Sequence, residues 1–319
     1  MTTVAVVIRC LNEERHIGRL LAGLERQTKL ADEIILVDSG STDATRDIAR
    51  PRVTKIVEIR PEEFSFGRAL NIGVDAATAD VCVFVSAHVY PLYDTYLEHL
   101  VAPFDDAQVA LTYGRQVGDH RTKYSESRLL LQWFPARSIP KQDHPFCNNA
   151  NAAIRRDVWQ LLKYDEDLTG LEDLDWAKRA QAKGYALSYV AEAPVVHVHE
   201  ESWSTVANRY RREAIAYKRI MDGEKHLNAA EAAGLAIGNT FVDFVHAARE
   251  GVLARNLGSI PMFRFAQFYG AWRGSNHTDD VGDALKRRFY YPLDPSRPDI
   301  PDVPGNLIDY SLETRSPHP

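Results

Sequence analysis

Polar and acidic side chains follow two apolar segments near the start of the chain, where they could bind a ligand. Residues 4–9 lead into a turn with Asn12 and Glu13, and residues 33–38 end in Asp38 before Ser39. In open α/β sheets, ligands bind in the crevice outside the carboxyl ends of the strands. Carboxylates and backbone groups at such an edge suit imide N–H groups and sugar hydroxyls. These residues predict a nucleotide site on a parallel sheet.

Histidines occupy two further positions where strands are expected to end. Strand alternation places His197 and His199 on one face of the strand-like residues 195–200. A third histidine, His88, follows the apolar residues 81–85. Lone histidines are usually structural, but a pair spaced in this way is not a lone residue. The three imidazoles are therefore candidates for a binding role.

An acidic pair, Glu172 and Asp173, opens a helix that we predict over residues 174–183. A helix N-terminus favours negative charge and keeps such carboxylates ionised. The pair could serve chemistry in the ionised form, or it could only cap the helix and complement its dipole.

The elements that must position these residues alternate between strand and helix over the first hundred residues. Continuous apolar runs predict buried strands, and apolar residues at helical spacing predict the helices between them. The predicted strands are residues 4–9, 33–38, 53–59 and 81–85, and the predicted helices are residues 15–27, 43–49 and 66–77. Right-handed crossovers stack such a series into a doubly wound, mostly parallel α/β sheet.

Later segments are more mixed. Short strands are expected at residues 109–113, 151–154 and 186–190, and helices at residues 93–104, 156–163, 203–221, 235–248 and 260–272. Residues 114–145 are polar, aromatic and irregular, which predicts a loop or lid. We expect one domain over residues 1–222 and a helical extension over residues 223–319, ending in a proline-rich, extended tail.

Composition bounds the possible functions. Of 319 residues, 45% are hydrophobic and 26% charged, which allows a sizeable core, and the net charge of −6 argues against general nucleic-acid binding. The three scattered cysteines favour reduced, buried thiols in a cytosolic protein. The sequence shows neither a signal peptide nor an apolar run long enough to span a bilayer, so we expect a cytoplasmic protein.

Five motifs in order resemble the family 2 glycosyltransferases, inverting enzymes with the GT-A fold that use nucleotide-activated sugars. The motifs are residues 7–14, 37–43, 66–73, 86–88 and 169–176, and the resemblance covers roughly residues 3–220. Within the family the chain is most similar to the bacterial rhamnosyltransferase-type branch. Residues 1–222 are therefore expected to form a GT-A catalytic domain.

The resemblance implies a donor-binding set drawn from the first four motifs and from the segment before the strand at residues 151–154. That set is Arg9, Asn12, Glu13, Asp38, Ser39, Arg68, Asn71, Ser86, Ala87 and Asn149. Alternative interpretations remain at two motifs, because Asn12 and Glu13 could only cap the next helix and Arg68 could lie on the surface.

The fourth motif departs from the family pattern. Most relatives carry Asp-x-Asp after this strand, and its last carboxylate binds a divalent cation that bridges the nucleotide diphosphate. Here Ser86 replaces the first aspartate and His88 the second. His88 could bind a softer cation such as Mn²⁺, for which imidazole is an acceptable ligand, or cationic side chains could neutralise the diphosphate without a metal. Resemblance adds His197, and secondarily His199, as further ligands of Mn²⁺ or Mg²⁺.

The acidic pair resembles the catalytic-base motif of the family, with Asp173 as the expected base and Glu172 beside it. An inverting transferase needs one carboxylate to take the proton of the acceptor hydroxyl as that hydroxyl attacks the anomeric carbon.

The resemblance implies sugar transfer from a nucleotide sugar to a hydroxyl of a glycan or lipid-linked acceptor in surface polysaccharide synthesis. Two alternatives remain: a nucleotidyltransferase that makes nucleotide sugars, and a non-catalytic protein that binds them. Phenylalanines and arginines in the C-terminal helices could contact the inner face of the cell membrane. Alternatively, these residues could pack on the catalytic domain or form the interface of a homodimer.

Overall fold

A mixed sheet forms the centre of the computed structural model, which describes residues 2–221, 227–277, 305–311 and 313. Within these residues eight strands hydrogen-bond in the order β3-β2-β1-β4-β7-β6-β8-β5. The strands are β1 (Val4–Cys10), β2 (Glu33–Asp38), β3 (Lys55–Glu58), β4 (Val81–Ser86), β5 (Val89–Pro91), β6 (Val109–Val117), β7 (Asn151–Arg155) and β8 (Ala186–His197).

The helices of the described residues connect and cover these strands. They are α1 (Ile17–Glu25), α2 (Thr45–Ala49), α3 (Phe66–Ala76), α4 (Tyr96–Val101), α5 (Tyr124–Trp133), α6 (Arg156–Leu161), α7 (Glu172–Ala182), α8 (Trp203–Ile220), α9 (Ala229–Arg249), α10 (Leu253–Asn256) and α11 (Ser259–Ser275). Short 3-10 turns lie at Arg50–Arg52, Pro61–Glu63 and Ala102–Asp105.

Both faces of the sheet are covered, as the apolar strands require. Residues of α3, α6 and α7 pack with the sheet in one core cluster, and residues of α1 and α4 pack with it in the other. β1 and β4 are buried along almost their whole length, which is typical of parallel strands between two helical layers. The predicted doubly wound α/β class is therefore confirmed.

Strand register aligns the ends of the central parallel strands. Cys10 pairs with Asp38 between β1 and β2, and Arg9 pairs with Ser86 between β1 and β4. β7 runs antiparallel to β4, with Asn151 opposite Val85, so the start of β7 lies at the same edge. Four segments that the sequence identified as polar thus meet along one side of the sheet.

The irregular segment expected at residues 114–145 was predicted wrongly in part. β6 continues to Val117, and Tyr124–Trp133 forms the helix α5. The predicted strand at residues 186–190 and the strand-like residues 195–200 form one long strand, β8, which ends at His197. The prediction took the aromatic residues of this segment as a sign of irregular structure. In the structure, Trp133 packs partly buried against the core and Phe134 is buried in it.

The helix α11 packs onto α8, and α9 packs onto α11. Arg264 on α11 and Asp243 on α9 form a buried ion pair with a distance of 2.8 Å between Arg264 Nε and Asp243 Oδ2. Where α11 crosses α8, Gly270 lies against the backbone of Ala207. No helix among the described residues is both long and apolar enough to cross a bilayer.

Part of the proline-rich tail packs beside the edge strand β5. Leu307 pairs with Tyr93 in an antiparallel bridge, and Tyr310 Oη donates to the carbonyl oxygen of Pro91 at 2.7 Å. Residues 305–311 are thus anchored beside β5. The rest of the predicted tail, residues 278–304 and 314–319, lies outside the described residues.

We predict that Gly270→Ala destabilises the protein, because the added Cβ would lie 2.1 Å from the carbonyl oxygen of Ala207. Such overpacking costs about 1–3 kcal/mol. Gly234→Ala is a matched control in α9, since its Cβ would have no neighbour within 4 Å. Urea unfolding should show the loss for Gly270→Ala and a gain of up to about 1 kcal/mol for Gly234→Ala. Equal unfolding free energies would contradict the close approach of α8 and α11.

Candidate functional site

A cavity of about 550 Å³ borders the sheet edge at the ends of β1, β4 and β8. Arg9 at the end of β1 and Ser86 at the end of β4 line it, as does Asn149, which precedes β7. Because β7 is antiparallel to β4, its start contributes to the same edge. The cavity therefore lies where open α/β sheets bind their ligands.

Three histidines lie together on one wall of this cavity. Antiparallel pairing places Val89 of β5 opposite His197 of β8, so His88 lies next to the end of β8. One ligand nitrogen from each of His88, His197 and His199 lies within 4.8 Å of the other two. His197 Nε2 and His199 Nε2 are 2.9 Å apart. The chain thus brings together three groups able to bind a cation.

Each of these histidines directs its Nδ1 toward a side-chain oxygen on another element, at 2.6–2.7 Å. The pairs are His88 with Glu13, His197 with Gln116, and His199 with Glu126. The three acceptors come from the turn after β1, from β6 and from α5. The imidazoles are therefore held from three directions.

Glu126 is almost fully buried and shares its charge with two partners. Arg209 Nη2 donates to Glu126 Oε1 at 2.5 Å and to Glu201 Oε2 at 2.7 Å. Burial alone would raise the pKa of Glu126, but His199 and Arg209 lower that pKa to about 2. Burial and the neighbouring imidazoles lower the pKa of His197 well below its ordinary value. His197 is therefore a neutral imidazole near pH 7.

The acidic pair at the start of α7 lies in the same cavity. Leu171 enters the helix with a φ of +54°, a left-handed conformation that is uncommon for a leucine. Asp173 Oδ2 accepts from the Asn149 N–H at 3.1 Å, and its Oδ1 accepts from the Leu174 N–H at 2.8 Å. Burial, followed by the charge of Glu172, raises the pKa of Asp173 to about 7. That value suits a base that works near neutral pH.

Two arginines place positive charge in the cavity. The guanidinium of Arg9 lies 5.3 Å from the ring centroid of Phe66, and that of Arg212 lies 4.6 Å from it. Arg9 also pairs with Glu172 at 3.3 Å. These guanidinium groups offer charged hydrogen-bond donors to an anionic group bound beside them.

Ten of the predicted site residues line the cavity. They are Arg9, Asn12, Glu13, Ser86, His88, Asn149, Glu172, Asp173, His197 and His199. Both acidic residues and all three histidines of the sequence prediction thus share one site.

Asp38 is fully buried and does not line the cavity. Its Oδ1 accepts from the N–H groups of Gly40 and Ser41, at 3.1 and 2.9 Å, and its Oδ2 lies 3.3 Å from Cys10 Sγ. These contacts hold the loop after β2. The expected contact between Asp38 and a nucleoside stays a prediction.

Asn71 has a structural role where a donor contact was expected. Its Nδ2 donates to the Tyr164 carbonyl oxygen at 3.0 Å and to Glu166 Oε1 at 2.9 Å. Its Oδ1 accepts from Trp159 Nε1 and from the Tyr164 N–H, both at 3.0 Å. All polar positions of this buried amide are occupied by protein groups, so it ties α3 to the segment after α6.

Three further expected donor contacts also lie off the cavity wall. Ser39 is buried and donates its hydroxyl to the Cys10 carbonyl oxygen at 3.0 Å. Ala87 is fully buried, and Arg68 lies half-buried in the first turn of α3. Their place in the site was implied by motif position alone.

Sequence reasoning missed Gln116 and Glu126, the acceptors behind His197 and His199. Both fall in the segment expected to be irregular, and neither belongs to a recognised motif. Gln116 lies opposite Val195 of β8, two residues before His197, and this pairing becomes visible only in the folded chain.

Comparison with known proteins shows which family this part of the chain is similar to. Residues 5–162 match the family model described as glycosyl transferase family 2. The O-antigen chain rhamnosyltransferase WbaN of Salmonella anatum is 30% identical over 198 residues, which are 58% of this chain and 62% of that protein. RfbN of Salmonella typhimurium, also an O-antigen chain rhamnosyltransferase, is 26% identical over 65% of this chain and 70% of its own length.

A solved structure has the same fold. The mannosyltransferase PcManGT from Pyrobaculum calidifontis, in complex with GDP-Man and Mn²⁺, superposes with a TM-score of 0.60 and 19% identity, over 86% of this chain and 87% of its own. The likeness supports the GT-A fold that the motifs implied. The chain spans about three fifths of the length of WbaN.

Proposed function

We propose that this chain, whose residues 5–162 form a glycosyl transferase family 2 domain, transfers a sugar from a nucleotide sugar to a hydroxyl of a glycan or lipid-linked acceptor. One observation carries the proposal: Asp173, with its raised pKa, shares a single cavity with the histidine cluster and with Arg9 and Arg212. A base for the acceptor and positive charge for the leaving group are the two requirements of this reaction.

The acceptor side of the reaction rests on Asp173. Its carboxylate takes the proton of the acceptor hydroxyl while the hydroxyl oxygen forms a bond to the anomeric carbon. The bond from that carbon to the diphosphate breaks, and its electron pair leaves with the nucleoside diphosphate. The N–H groups of Asn149 and Leu174 hold the carboxylate in place. In an inverting transfer, the hydroxyl attacks from the face opposite the leaving group.

The donor side rests on His88, His197 and His199, which would hold a divalent cation. The imidazoles fit such an ion because their ligand nitrogens lie within 4.8 Å of one another. When bound, the cation would supply positive charge to the diphosphate oxygens. Arg9 and Arg212, which both contact Phe66, add positive charge of their own.

The relatives suggest the biological setting. WbaN and RfbN are both named O-antigen chain rhamnosyltransferases. We therefore propose that the acceptor belongs to a surface polysaccharide, with a deoxyhexose such as rhamnose as the transferred sugar. The base in the cavity favours transfer over a binding protein without catalysis and over a nucleotidyltransferase.

We further propose that α9 and α11 contact a membrane that carries the acceptor. Ile237, Phe241 and Phe265 are 72%, 68% and 60% exposed. Arg255 and Arg273 are exposed in the same part of the chain and would attract anionic lipid head groups.

Asp173→Asn should lower transfer by about 10²–10⁴-fold, because the amide cannot accept the proton of the acceptor. Release of nucleoside diphosphate from a panel of nucleotide sugars measures transfer, and calorimetry measures nucleoside diphosphate affinity. We expect that affinity to be unchanged. Asp75→Asn, at an exposed ion pair with Lys163, is the control and should transfer at the rate of the unsubstituted protein. Transfer by Asp173→Asn at that same rate would remove Asp173 from the role of base.

Turnover should fall as the pH is lowered through about 7, because the ionised form of Asp173 is the active one and its pKa is raised. The decline should approach about tenfold per pH unit below that value, whereas an ordinary aspartate would stay ionised to about pH 4. Nucleoside diphosphate affinity, measured over the same range, separates loss of the base from loss of the cation site. Constant turnover between pH 7.5 and about 5.5 would contradict the raised pKa.

The membrane contact predicts flotation with anionic liposomes, and Phe265→Glu should reduce the floated fraction because it puts a charge on the contact surface. Leu161→Glu is the matched control, since Leu161 is also exposed but lies on α6. Protein that stays at the bottom of the gradient would exclude intrinsic membrane affinity. A concentration-dependent dimer that Phe265→Glu disrupts would assign the surface to a second copy of the chain.

A further inference from the structure

The histidine cluster contains a contact that needs an explanation, because two ring nitrogens face each other. His197 Nε2 and His199 Nε2 lie 2.9 Å apart, which is a hydrogen-bond distance. A hydrogen bond between them would require one of the two nitrogens to carry a proton. The oxygens on the opposite side of each ring show how the rings are held.

Those oxygens hold each ring through its Nδ1. Glu13 and Glu126 place a carboxylate oxygen 2.7 and 2.6 Å from Nδ1 of His88 and His199. Gln116 Oε1 lies 2.6 Å from Nδ1 of His197. An oxygen behind a ring in this way orients the ring and favours a lone pair on its other nitrogen. The three rings are thus turned with Nε2 away from these oxygens.

Two Nε2 atoms at 2.9 Å can lie against one positive species. Imidazoles that ligate one ion through bonds of about 2.1 Å at right angles stand about 3 Å apart, close to the observed separation. The near-parallel ring of His88 lies 5.1 Å from that of His197, with its ligand atom in the same group. A proton would join two of these rings, whereas a cation accounts for the convergence of all three.

A neighbouring acidic group does not compete for that ion. Glu126, His199 and Glu201 also have ligand atoms close together. Arg209 already bridges both carboxylates, at 2.5 and 2.7 Å, and occupies the space between them. Glu126 therefore acts on the cluster through the ring of His199.

We propose that Glu13, Gln116 and Glu126 are positioning residues that fix the three rings with Nε2 free, and that the resulting all-imidazole cluster selects a borderline transition-metal ion over Mg²⁺. Imidazole suits ions such as Zn²⁺, Co²⁺ and Ni²⁺, whereas Mg²⁺ prefers oxygen ligands. The proposal rests on the proposed function only for the use of the ion, because metal binding itself can be measured without transfer.

The test is titration of the metal-stripped full-length protein with Co²⁺, followed by calorimetry and by the visible absorption of the bound ion. We expect one equivalent to bind with a nitrogen-ligand spectrum, and millimolar Mg²⁺ to leave that spectrum unchanged. His197→Ala should abolish the spectrum. Binding of Mg²⁺ as tight as that of Co²⁺, or a Co²⁺ spectrum that survives His197→Ala, would overturn the proposal.

Variants of the acceptors test the positioning role. Glu13→Ala and Glu126→Gln should each weaken Co²⁺ binding by about 10–100-fold, as loss of a hydrogen bond behind a metal-binding histidine does elsewhere. Glu13 is partly exposed, so its variant should keep the fold even if the buried Glu126→Gln does not. Glu25→Gln changes an exposed carboxylate away from the cluster and should bind Co²⁺ normally. Unchanged affinity in Glu13→Ala, with a folded protein, would overturn the positioning role.

The outcomes also separate this inference from the proposed function. Protein that binds no Co²⁺ yet transfers sugar in the presence of a chelator would overturn the inference alone. Protein that binds Co²⁺ at the histidines but releases no nucleoside diphosphate from any donor would overturn the function alone.

Discussion

The register between β5 and β8 is the constraint on which the site depends. It sets Val89 opposite His197, which brings His88 beside the end of β8. The pairing of β6 with β8 then sets Gln116 opposite Val195, on the same face as His197. Since side chains alternate along a strand, a slip of one residue in either pair would turn these groups away from one another. Backbone hydrogen bonding thus assembles the cluster, and the histidines need no long loop to meet.

A buried charge links this cluster to the helices that follow it. Glu126 on α5 is nearly inaccessible to solvent, so it needs partners for its charge. Arg209 on α8 provides one, and removal of one member of such a buried pair typically costs about 3–5 kcal/mol. α11 packs closely along α8 at Gly270. The C-terminal helices are therefore part of the same packed structure as the cavity, and they support the residues behind His199.

The sequence was sufficient to predict the elements whose pattern is local. Apolar runs gave the central strands, and the positions of His88, His197 and Asp173 at the ends or starts of elements indicated one common edge. Roles that depend on packing were not predictable in this way. Asn71 belongs to a motif, yet its amide is used entirely by Trp159, Tyr164 and Glu166, contacts that cross about ninety positions of sequence. A pattern of neighbouring residues does not contain that information.

Replacement of carboxylates by imidazoles changes the charge that the donor would meet. A metal-binding carboxylate would offset part of the charge of a divalent cation, whereas an imidazole in its place brings no negative charge. Arg209 is shared between Glu126 and Glu201, so one guanidinium is set against two carboxylates. Arg9 is paired with Glu172, and Glu13 bonds to the cluster through His88. Under the proposed function, the carboxylates that contact the cluster thus lie behind the rings, and the imidazoles leave the charge of the cation to the diphosphate.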